Sequence, residues 1–319
     1  MIKISVILPY FNEDNVAEKT LKLLNRQTVK PDEVIFVDSN SSDRTYEIIQ
    51  NFIHKEDLKN WLIYKTKYET PSEAKNFGII KSSFEWCAFM DFDLKFSEKW
   101  IEKQKLFIES NKNTQISYGI VNLNPSNYFD KLVIAQTYGL NSNNPVIPSS
   151  FINKIYFKKN TYFLPLRSLY DKIFIAHSLA NNNKYVLINY NVHVEYFDTN
   201  YATNFKELFL KIINYSLQTT FYNKNKIPFI YLFILLSIIL VILFNFYLIF
   251  IIILFLILLR GFIIPIKKNK NFFKQFSIFE IPNLFLIGIS IDIFKCMGFI
   301  MSFILKLFKK RVRIDKYYK

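Results

Sequence analysis

The chain has 319 residues, 51% of them hydrophobic, and a formal net charge of +15, enough for one large domain or two smaller ones, each with a real core. Its six glycines stand at 78, 119, 139, 261, 288 and 298, too scattered for a Gly-rich phosphate cradle, which excludes the dinucleotide fingerprint and the Walker loop. A nucleotide, if bound, must therefore be held by side chains and a metal.

In chain order, "ISVILPY" reads as a strand, and Asp14 or Asn15 caps a helix to about Arg26. "EVIFVD" is a second strand, followed by a helix to about Phe52 capped by Ser41 or Ser42. "WLIYKT" is a third strand, a helix runs from Ser72 to Ile80, "WCAFMD" is a fourth strand, and "SEKWIEKQKLFIES" is the next helix. Alternation of this kind predicts βαβ units and a mainly parallel sheet flanked by helices. The stretch from about 122 to 150 is rich in Asn, Ser and Pro and reads as a long irregular segment, a kind more often functional than idle. A helix over about 168–182 and a strand pair in "YVLINYNVHVEYF" close this region.

The expected organisation is a catalytic domain over 1–200, a helical connector over 201–226, a transmembrane hairpin over 227–266, and a basic loop, helix and tail over 267–319. Residues 227–259 carry no charge. As one helix they would be about 50 Å long, against a hydrocarbon core of about 30 Å. Two spans, about 227–244 and 246–266, fit better, with Arg260 near an end where it can snorkel. The hairpin also keeps the basic flank "KKNKNFFK" in the cytoplasm. In the apolar stretch 281–308, Asp292, Lys295, Ser302, Lys306 and Lys309 follow steps of three and four with Phe299 as the gap. That stripe predicts an amphipathic helix lying in the membrane interface. Residues 227–319 hold 13 Lys/Arg against 3 Asp/Glu, so the basic excess travels with the apolar third and points to anionic lipid as a partner rather than nucleic acid. Cys87 falls in a core strand and Cys296 in a membrane segment, with no metal-ligand neighbours, which suits a reducing cytoplasm. The opening strand shows no signal peptide.

Ligands of such sheets bind beyond the carboxyl ends of the strands, and polar residues gather there: Asn12 and Glu13, then Asp38, then Asp91 and Asp93. If the fourth strand persists past Met90, Asp91 and Asp93 share one face and form a claw for Mg2+ or Mn2+. A solvated strand end is the other reading of the same two residues. His54 reads as a surface residue, His177 as packing and His193 as a half-buried strand residue or a supplement to the claw.

The segment "SVILPYFNEDNVAEKTLKLLNRQTVKPDEVIFVDSNSSDRTYEII" closely resembles the opening of family 2 glycosyltransferases, which have the GT-A nucleotide-diphospho-sugar transferase fold. The matching motifs are Pro9 with Asn12 and Glu13, Gln27 to Glu33, and Val37 to Thr45. "EAKNFGI" resembles the family's A-R-N-x-G with Lys75 where Arg is usual, and "FMDFDL" resembles its metal-binding D-x-D. The likeness is dense over about 110 residues and thinner to about 197. It implies that Pro9 and Tyr10 line a nucleobase site, that Asn12, Glu13, Asp38, Lys75 and Asp91 belong to the nucleotide-sugar site, and that Asp91 and Asp93 hold a Mg2+ or Mn2+ ion bridging the diphosphate. The family's base is an Asp opening a helix, and "RSLYDKIFIAHSLANNNKYVL" aligns Asp171 there, with Tyr170 for the usual Glu and Asn182 for the usual Gly. Helix capping explains an Asp at that place equally well.

These readings imply a membrane-attached, inverting enzyme of polysaccharide biosynthesis with its catalytic domain facing the cytoplasm and multi-pass anchorage in the cell membrane. It would take a UDP- or GDP-type sugar donor and a lipid-linked or glycan acceptor hydroxyl. Two alternatives stand beside it. A polyprenyl-phosphate sugar synthase shares the architecture but usually carries Gly-Lys-Gly where this chain has "EAKNFGI". A non-catalytic membrane scaffold could retain the fold.

Overall fold

The structure is a computed structural model that describes residues 2–68, 70–140, 143–159, 162–166, 169–181, 184–197, 201–221, 231, 236, 239 and 246–307. The chain divides into two compact units, residues 1–122 with 143–198, and residues 123–142 with 199–319. Helix 128–137 thus packs with the C-terminal third, although it lies in sequence between two strands of the sheet.

The first unit is built on β1 (Ile4–Tyr10), α1 (Asp14–Asn25), β2 (Glu33–Asp38), α2 (Thr45–Lys55), β3 (Trp61–Lys65), α3 (Pro71–Lys81) and β4 (Trp86–Phe89). It continues with β5 (Leu94–Phe96), α4 (Trp100–Ser110) and β6 (Ile116–Asn122). After α5 (Tyr128–Thr137) come β7 (Asn144–Asn153), α6 (Lys154–Lys159), α7 (Tyr170–Asn181) and β8 (Val186–Tyr196). The strands form one sheet in the order β3-β2-β1-β4-β7-β6-β8-β5. β3, β2, β1 and β4 are all parallel neighbours, so their carboxyl ends open on the same edge. β1 and β2 are buried along their whole length, as expected of strands covered on both faces.

Four local expectations change. α2 begins at Thr45, not at Ser41 or Ser42, because the Asp43 carboxylate accepts from the Thr45 backbone N–H at 3.0 Å and from its hydroxyl at 2.7 Å. β4 ends at Phe89, and Asp91–Asp93 form a turn into β5 rather than a prolonged strand. The segment 122–150 is not irregular. It holds α5, capped by the Asn127 side chain accepting from Asp130 N–H at 2.8 Å, and β7. Proline is normally excluded from inner strands. Here Pro148 falls where the β6–β7 register slips between Ser117 and Gly119, leaving 147–150 outside the ladder. Finally, 186–196 is one strand, not a pair, joined to β6 on either side of a register shift.

The second unit adds α8 (Phe205–Phe221), α9 (Phe246–Ile257), a π-helical stretch (Leu258–Ile263), α10 (Ile264–Lys268), α11 (Phe272–Gln275), a 3-10 turn (Ile278–Glu280) and α12 (Ile281–Leu307). Among the described residues, two helices are long and apolar enough to cross a membrane, Phe250–Lys268 and Ile278–Leu305. The first limb of the expected hairpin, 227–244, lies almost wholly outside the described residues, as do Lys309 and the basic tail.

Arg260 does not snorkel. It is 6% exposed and forms a bidentate pair with Asp292, while the Gln136 amide donates to the Arg260 carbonyl at 2.6 Å and to the Leu284 carbonyl at 2.8 Å. The polar stripe of α12 is likewise turned inward. Lys295 donates to the Tyr231 hydroxyl at 3.2 Å, and Ser302 donates to the Leu217 carbonyl at 3.2 Å. α8 runs parallel beside α12, with Phe209 against Phe294 (centroids 5.1 Å apart) and Ile213 and Ser216 against Gly298.

α5 is closed at its carboxyl end by Gly139, whose φ of +88° lies in the left-handed region. Its N–H donates to the Ile134 carbonyl at 2.8 Å, and Lys268 donates to the last carbonyls of the helix, Gln136 and Thr137, at 2.7 Å each. A Cβ at 139 would lie 2.0 Å from the Lys268 carbonyl oxygen. Gly139→Ala is therefore expected to cost about 1–3 kcal/mol, measured as a lowered midpoint in thermal unfolding of the detergent-solubilised chain.

Candidate active site

The carboxyl edge of the sheet is assembled from four loops. The loop after β1 and the loop after β2 are laced together. Asn12, at φ 57° (a left-handed conformation that Asn tolerates), accepts from Ser42 N–H at 2.8 Å, and its own N–H donates to the Ser41 hydroxyl at 3.1 Å. Glu13 N–H donates to the Thr45 hydroxyl at 2.8 Å, and Asp14 N–H to the Asp43 carboxylate at 3.1 Å. Burial raises the Asp43 carboxyl, but the hydrogen bonds from Thr45 and Asp14 outweigh it and hold the group below its usual range. Asp38 is 2% exposed, accepts from Ser41 N–H at 2.9 Å, and receives both the N–H and the hydroxyl of Thr66 on its carbonyl at 2.8 Å.

Pro9 and Tyr10 are buried. The Tyr10 ring stands edge-on to Phe92 at 5.5 Å, and its hydroxyl has no hydrogen-bond partner among protein atoms. Both residues line the wall of the edge rather than project from it.

The turn Asp91–Asp93 is pinned at each residue. The buried Lys75 ammonium donates to Asp91 Oδ1 at 2.7 Å. The Thr20 hydroxyl donates to the Phe92 carbonyl at 2.7 Å, and Phe197 N–H to the Asp93 carbonyl at 3.0 Å. Phe92 is buried while Asp93 is exposed, so the turn drives an apolar anchor inward and leaves carboxylates outward on both sides of it.

The "EAKNFGI" motif explains itself residue by residue. Ala74 packs beneath Ile35 and Val37. Lys75 takes Asp91. The Asn76 side chain donates to the Phe163 carbonyl at 2.8 Å and accepts from Phe163 N–H at 3.1 Å. Gly78 lets α3 approach β1 so closely that a Cβ would sit 2.4 Å from Ile7 Cγ2. Ser72 adds a second clamp, both donating to the Leu166 carbonyl at 2.9 Å and accepting from its N–H at 3.1 Å. α3 thus fixes the chain that leads into α7. Lys75 is 1% exposed at its side chain and its partner Asp91 30%, so the lysine is the more deeply buried of the two.

Asp171 opens α7 with its Oδ1 accepting from Lys172 N–H at 2.8 Å, and Leu169 just before it has φ 69°, in the left-handed region. Tyr196 is the residue that sequence reasoning missed. It pairs across strands with Leu94. Burial, then the charges of Asp93, Asp91 and Asp171 and the neighbouring Tyr170, hold its hydroxyl well above the usual phenol range. Its chain neighbour Phe197 donates its N–H to the Asp93 carbonyl at 3.0 Å, so Tyr196 stands beside the turn that carries the claw. The available signal was its place two residues beyond Val194, on the strand already singled out for His193 and Glu195. His193 and Glu195 pair with Ile120 and Asn122 on β6.

Whether these residues fit a divalent cation is decided by charge and donor type. Glu13 is pushed up to about 8, by burial first and then by Asp93, Asp91 and Asp43. The coulombic part of that shift comes from neighbouring carboxylates, whose charge a cation would offset. Carboxylate oxygens are the donors Mg2+ and Mn2+ prefer. Among the described residues no group of three His, Cys, Asp or Glu side chains is arranged to enclose a metal, and one Asp91 oxygen is engaged by Lys75. The site fits an ion taking its remaining ligands from phosphate oxygens and water.

The fold, with its acidic carboxyl edge, is of the GT-A class. A model of glycosyl transferase family 2 matches residues 5–177, more than half the chain, and the protein belongs to that family. It is 36% identical over 93 residues to the GalNAc(5)-diNAcBac-PP-undecaprenol beta-1,3-glucosyltransferase of Campylobacter jejuni, covering 29% of this chain and 30% of that one. It is 26% identical over 196 residues to the poly(ribitol-phosphate) beta-N-acetylglucosaminyltransferase TarS of Staphylococcus aureus, covering 58% and 34%. The matches thus span about a third of these relatives' lengths. The mannosyltransferase PcManGT of Pyrobaculum calidifontis, solved with GDP-Man and Mn2+, superposes with a TM-score of 0.51 at 15% identity over 68% of this chain and 62% of that one, a likeness of fold.

A raised carboxyl destabilises the folded state once the unfolded chain ionises. Glu13 therefore costs stability increasingly as pH rises from about 4.5 to about 8 and constantly above that. Glu13→Gln is expected to raise the thermal midpoint in EDTA, with a gain that grows across that window and shrinks when Mn2+ is added.

Proposed function

We propose that this protein transfers a sugar from a nucleotide-diphosphate sugar to an acceptor hydroxyl presented at a membrane surface, with inversion and with a divalent cation. The observation that carries the reading is the acidic turn Asp91–Asp93 at the carboxyl edge of the sheet, anchored by Lys75, Thr20 and Phe197. A base and a diphosphate-binding acidic site are both needed for inverting transfer, and Asp171 in the first turn of α7 and the Asp91–Asp93 turn are the candidates for them. Asp171 would remove the acceptor proton as the hydroxyl oxygen attacks the anomeric carbon. The bond between that carbon and the diphosphate oxygen breaks, and the nucleoside diphosphate leaves. Asp93 with Asp91 would hold a Mg2+ or Mn2+ ion, which would supply neutralisation of the leaving diphosphate. Tyr196, kept protonated, offers a hydrogen-bond donor at the same place. The laced loops bearing Asn12, Glu13 and Asp38 would receive the nucleoside, over the wall formed by Pro9 and Tyr10. Asp171 favours a hydroxyl acceptor over the anionic phosphate of a polyprenyl-phosphate synthase, which needs no base. A lipid-linked acceptor is supported by the Campylobacter relative, whose name specifies PP-undecaprenol.

Mn2+-dependent binding of UDP and GDP, measured by calorimetry on the solubilised chain, tests this directly. One nucleotide is expected to bind with metal, and Asp93→Ala to lose that binding. Asp171→Asn should bind as the parent does but release nucleoside diphosphate from the matching nucleotide sugar about 10²-fold or more slowly, with membrane lipid extract as the acceptor source. Absence of metal-dependent binding in folded protein would leave the scaffold reading.

The membrane attachment comprises the hairpin of 227–266 and, lying in the plane of the bilayer, α12. Its partner α8 supports the in-plane arrangement. At 17 residues, α8 is about 26 Å long, and it carries Lys206, Glu207 and Lys211. A helix so short and charged does not cross, and α12 runs beside it. The opposite face of α12 exposes Leu286, Ile293, Met297, Ile300 and Ile304, spaced seven, four, three and four residues apart, an apolar stripe suited to acyl chains. The neighbouring Phe273, Ile278 and Phe279 are 76%, 71% and 87% exposed among Lys267, Lys268, Lys270 and Lys274. Such anchorage raises the effective concentration of a lipid-linked acceptor. Tryptophans introduced one at a time by L286W, I293W and I304W into the full chain in vesicles should be quenched by brominated lipids at one common depth. A steady change of depth along the three would establish a crossing helix instead.

A further inference from the structure

The segment 267–280, "KKNKNFFKQFSIFE", carries four lysines and one glutamate and joins the two apolar helices Phe250–Lys268 and Ile278–Leu305. Its inner side is fastened to α5 and the residues just beyond it. Asn269 donates to the Ala135 carbonyl at 3.0 Å and accepts from Leu140 N–H at 2.6 Å, and Lys268 turns to the Gln136 and Thr137 carbonyls. Phe272 and Phe276, both 4% exposed, stack with centroids 5.2 Å apart. Lys131 of α5 lies 4.3 Å from the centre of the Phe276 ring, donates to the Gln275 carbonyl at 2.7 Å and pairs with Glu280 at 3.0 Å. The outer side presents Phe273, Ile278 and Phe279, the three most exposed large apolar side chains among the described residues. Lys267, Lys270 and Lys274 are exposed as well, and none of them is in an ion pair with a described residue.

We propose that this segment is a platform that recognises anionic phospholipid headgroups, distinct from the acyl-chain contact made by α12. It rests on the membrane attachment proposed above and is independent of the transfer chemistry. Its place in the chain sets its level: a link between two apolar helices lies at the headgroup region when those helices are in the membrane. There the three apolar side chains enter the acyl boundary, while the lysine stems lie along it and keep their ammonium groups among the phosphates. Charge selects the lipid. Glu280, the one carboxylate of the segment, is balanced on the inner side by Lys131 and accepts from Ser277 N–H at 2.8 Å. The outward charge is therefore that of the three ammonium groups. A zwitterionic headgroup offers them no net attraction, whereas each lysine near an anionic surface favours it about fivefold. Because the inner side is already held by Asn269, Phe272, Phe276 and Glu280, little of that gain is lost to ordering the segment.

The test uses the full chain in vesicles of equal parts phosphatidylcholine and phosphatidylglycerol, with bromine on the acyl chains of one lipid or of the other. The probe is F279W, read by fluorescence quenching after subtraction of the parent's signal from the buried Trp61, Trp86 and Trp100. Brominated phosphatidylglycerol is expected to quench F279W at least about twofold more than brominated phosphatidylcholine. Adding K267Q, K270Q and K274Q to F279W is expected to make the two equal. Equal quenching in F279W itself would overturn headgroup selection. A preference that survives the three lysine changes would overturn the assignment to those lysines. I293W, on the acyl-facing stripe of α12, separates this proposal from the attachment on which it rests. Quenching of I293W but not of F279W would overturn the platform alone and leave its outer side to an aqueous partner. Absence of quenching in both would remove the membrane attachment as well.

Discussion

Crowded negative charge at the carboxyl edge of the sheet is the constraint on which the first unit is organised. Asp38, Asp43, Asp91, Asp93 and Glu13 all stand at or just beyond the carboxyl ends of three parallel strands, and several of them are visibly compensated. Asp43 is hydrogen-bonded by backbone and hydroxyl groups, and Asp38 caps its own turn. Asp91 is the most demanding, because it is half-buried and a carboxylate taken from water without a partner is costly. Lys75 meets that demand from a fully buried position. Removing either charge would strand the other, a far larger penalty than the net worth of the pair. Glu13 is the group left over: burial first, and then the neighbouring carboxylates Asp93, Asp91 and Asp43, push it up to about 8.

What made the site legible in sequence is that its carboxylates follow continuous apolar runs. "ISVILPY" and "EVIFVD" coincide with β1 and β2 because a strand buried on both faces has only one way to be written. The claw was legible as two residues but not as geometry. The alternation that places Asp91 and Asp93 on one side assumed a strand through Met90. In fact Phe92 acts as an anchor in a turn, held by Thr20, a helix residue that no local pattern connects to it. Lys75 was legible as a motif position, but not its burial and pairing with Asp91, which are decided by where α3 packs. Tyr196 was hidden for a similar reason: its relevance comes from pairing with Leu94, about a hundred residues earlier, and pairing across a sheet is not written locally.

The errors over 122–150 have a different origin. Asn, Ser and Pro were weighed as loop formers, yet Asn127 is a helix cap and Pro148 occupies a register slip, two places where those residues are favoured inside regular structure. α5 then became invisible as part of an element order, because it departs from the sheet and joins the C-terminal helices. Its apolar face, with Leu132, Val133 and Ala135, packs with Leu284, Ile287 and Ile291. The polar stripe of α12 was read by the same logic that fails here. A stripe on an apolar helix implies a polar neighbour, and water is only one candidate. Asp292 and Ser302 have protein partners instead, Arg260 and the Leu217 carbonyl.

Lys75 and Arg260 show how partner number selects the cation. Both are buried, both are paired with an aspartate, and neither touches solvent appreciably. Arg260 faces an Asp292 presented broadside, with the Gln136 side-chain oxygen 3.5 Å from Nη1 as a third acceptor. A guanidinium's fork satisfies that arrangement in one plane, and an ammonium there would leave an acceptor unmet. Lys75 faces a single Asp91 oxygen at 2.7 Å, with the Tyr170 ring centre 5.7 Å away, an arrangement a compact charge suits. Each position is therefore specified by its acceptors as much as by its sign. An exchange of Lys for Arg at either would change the hydrogen-bond count while leaving the net charge untouched.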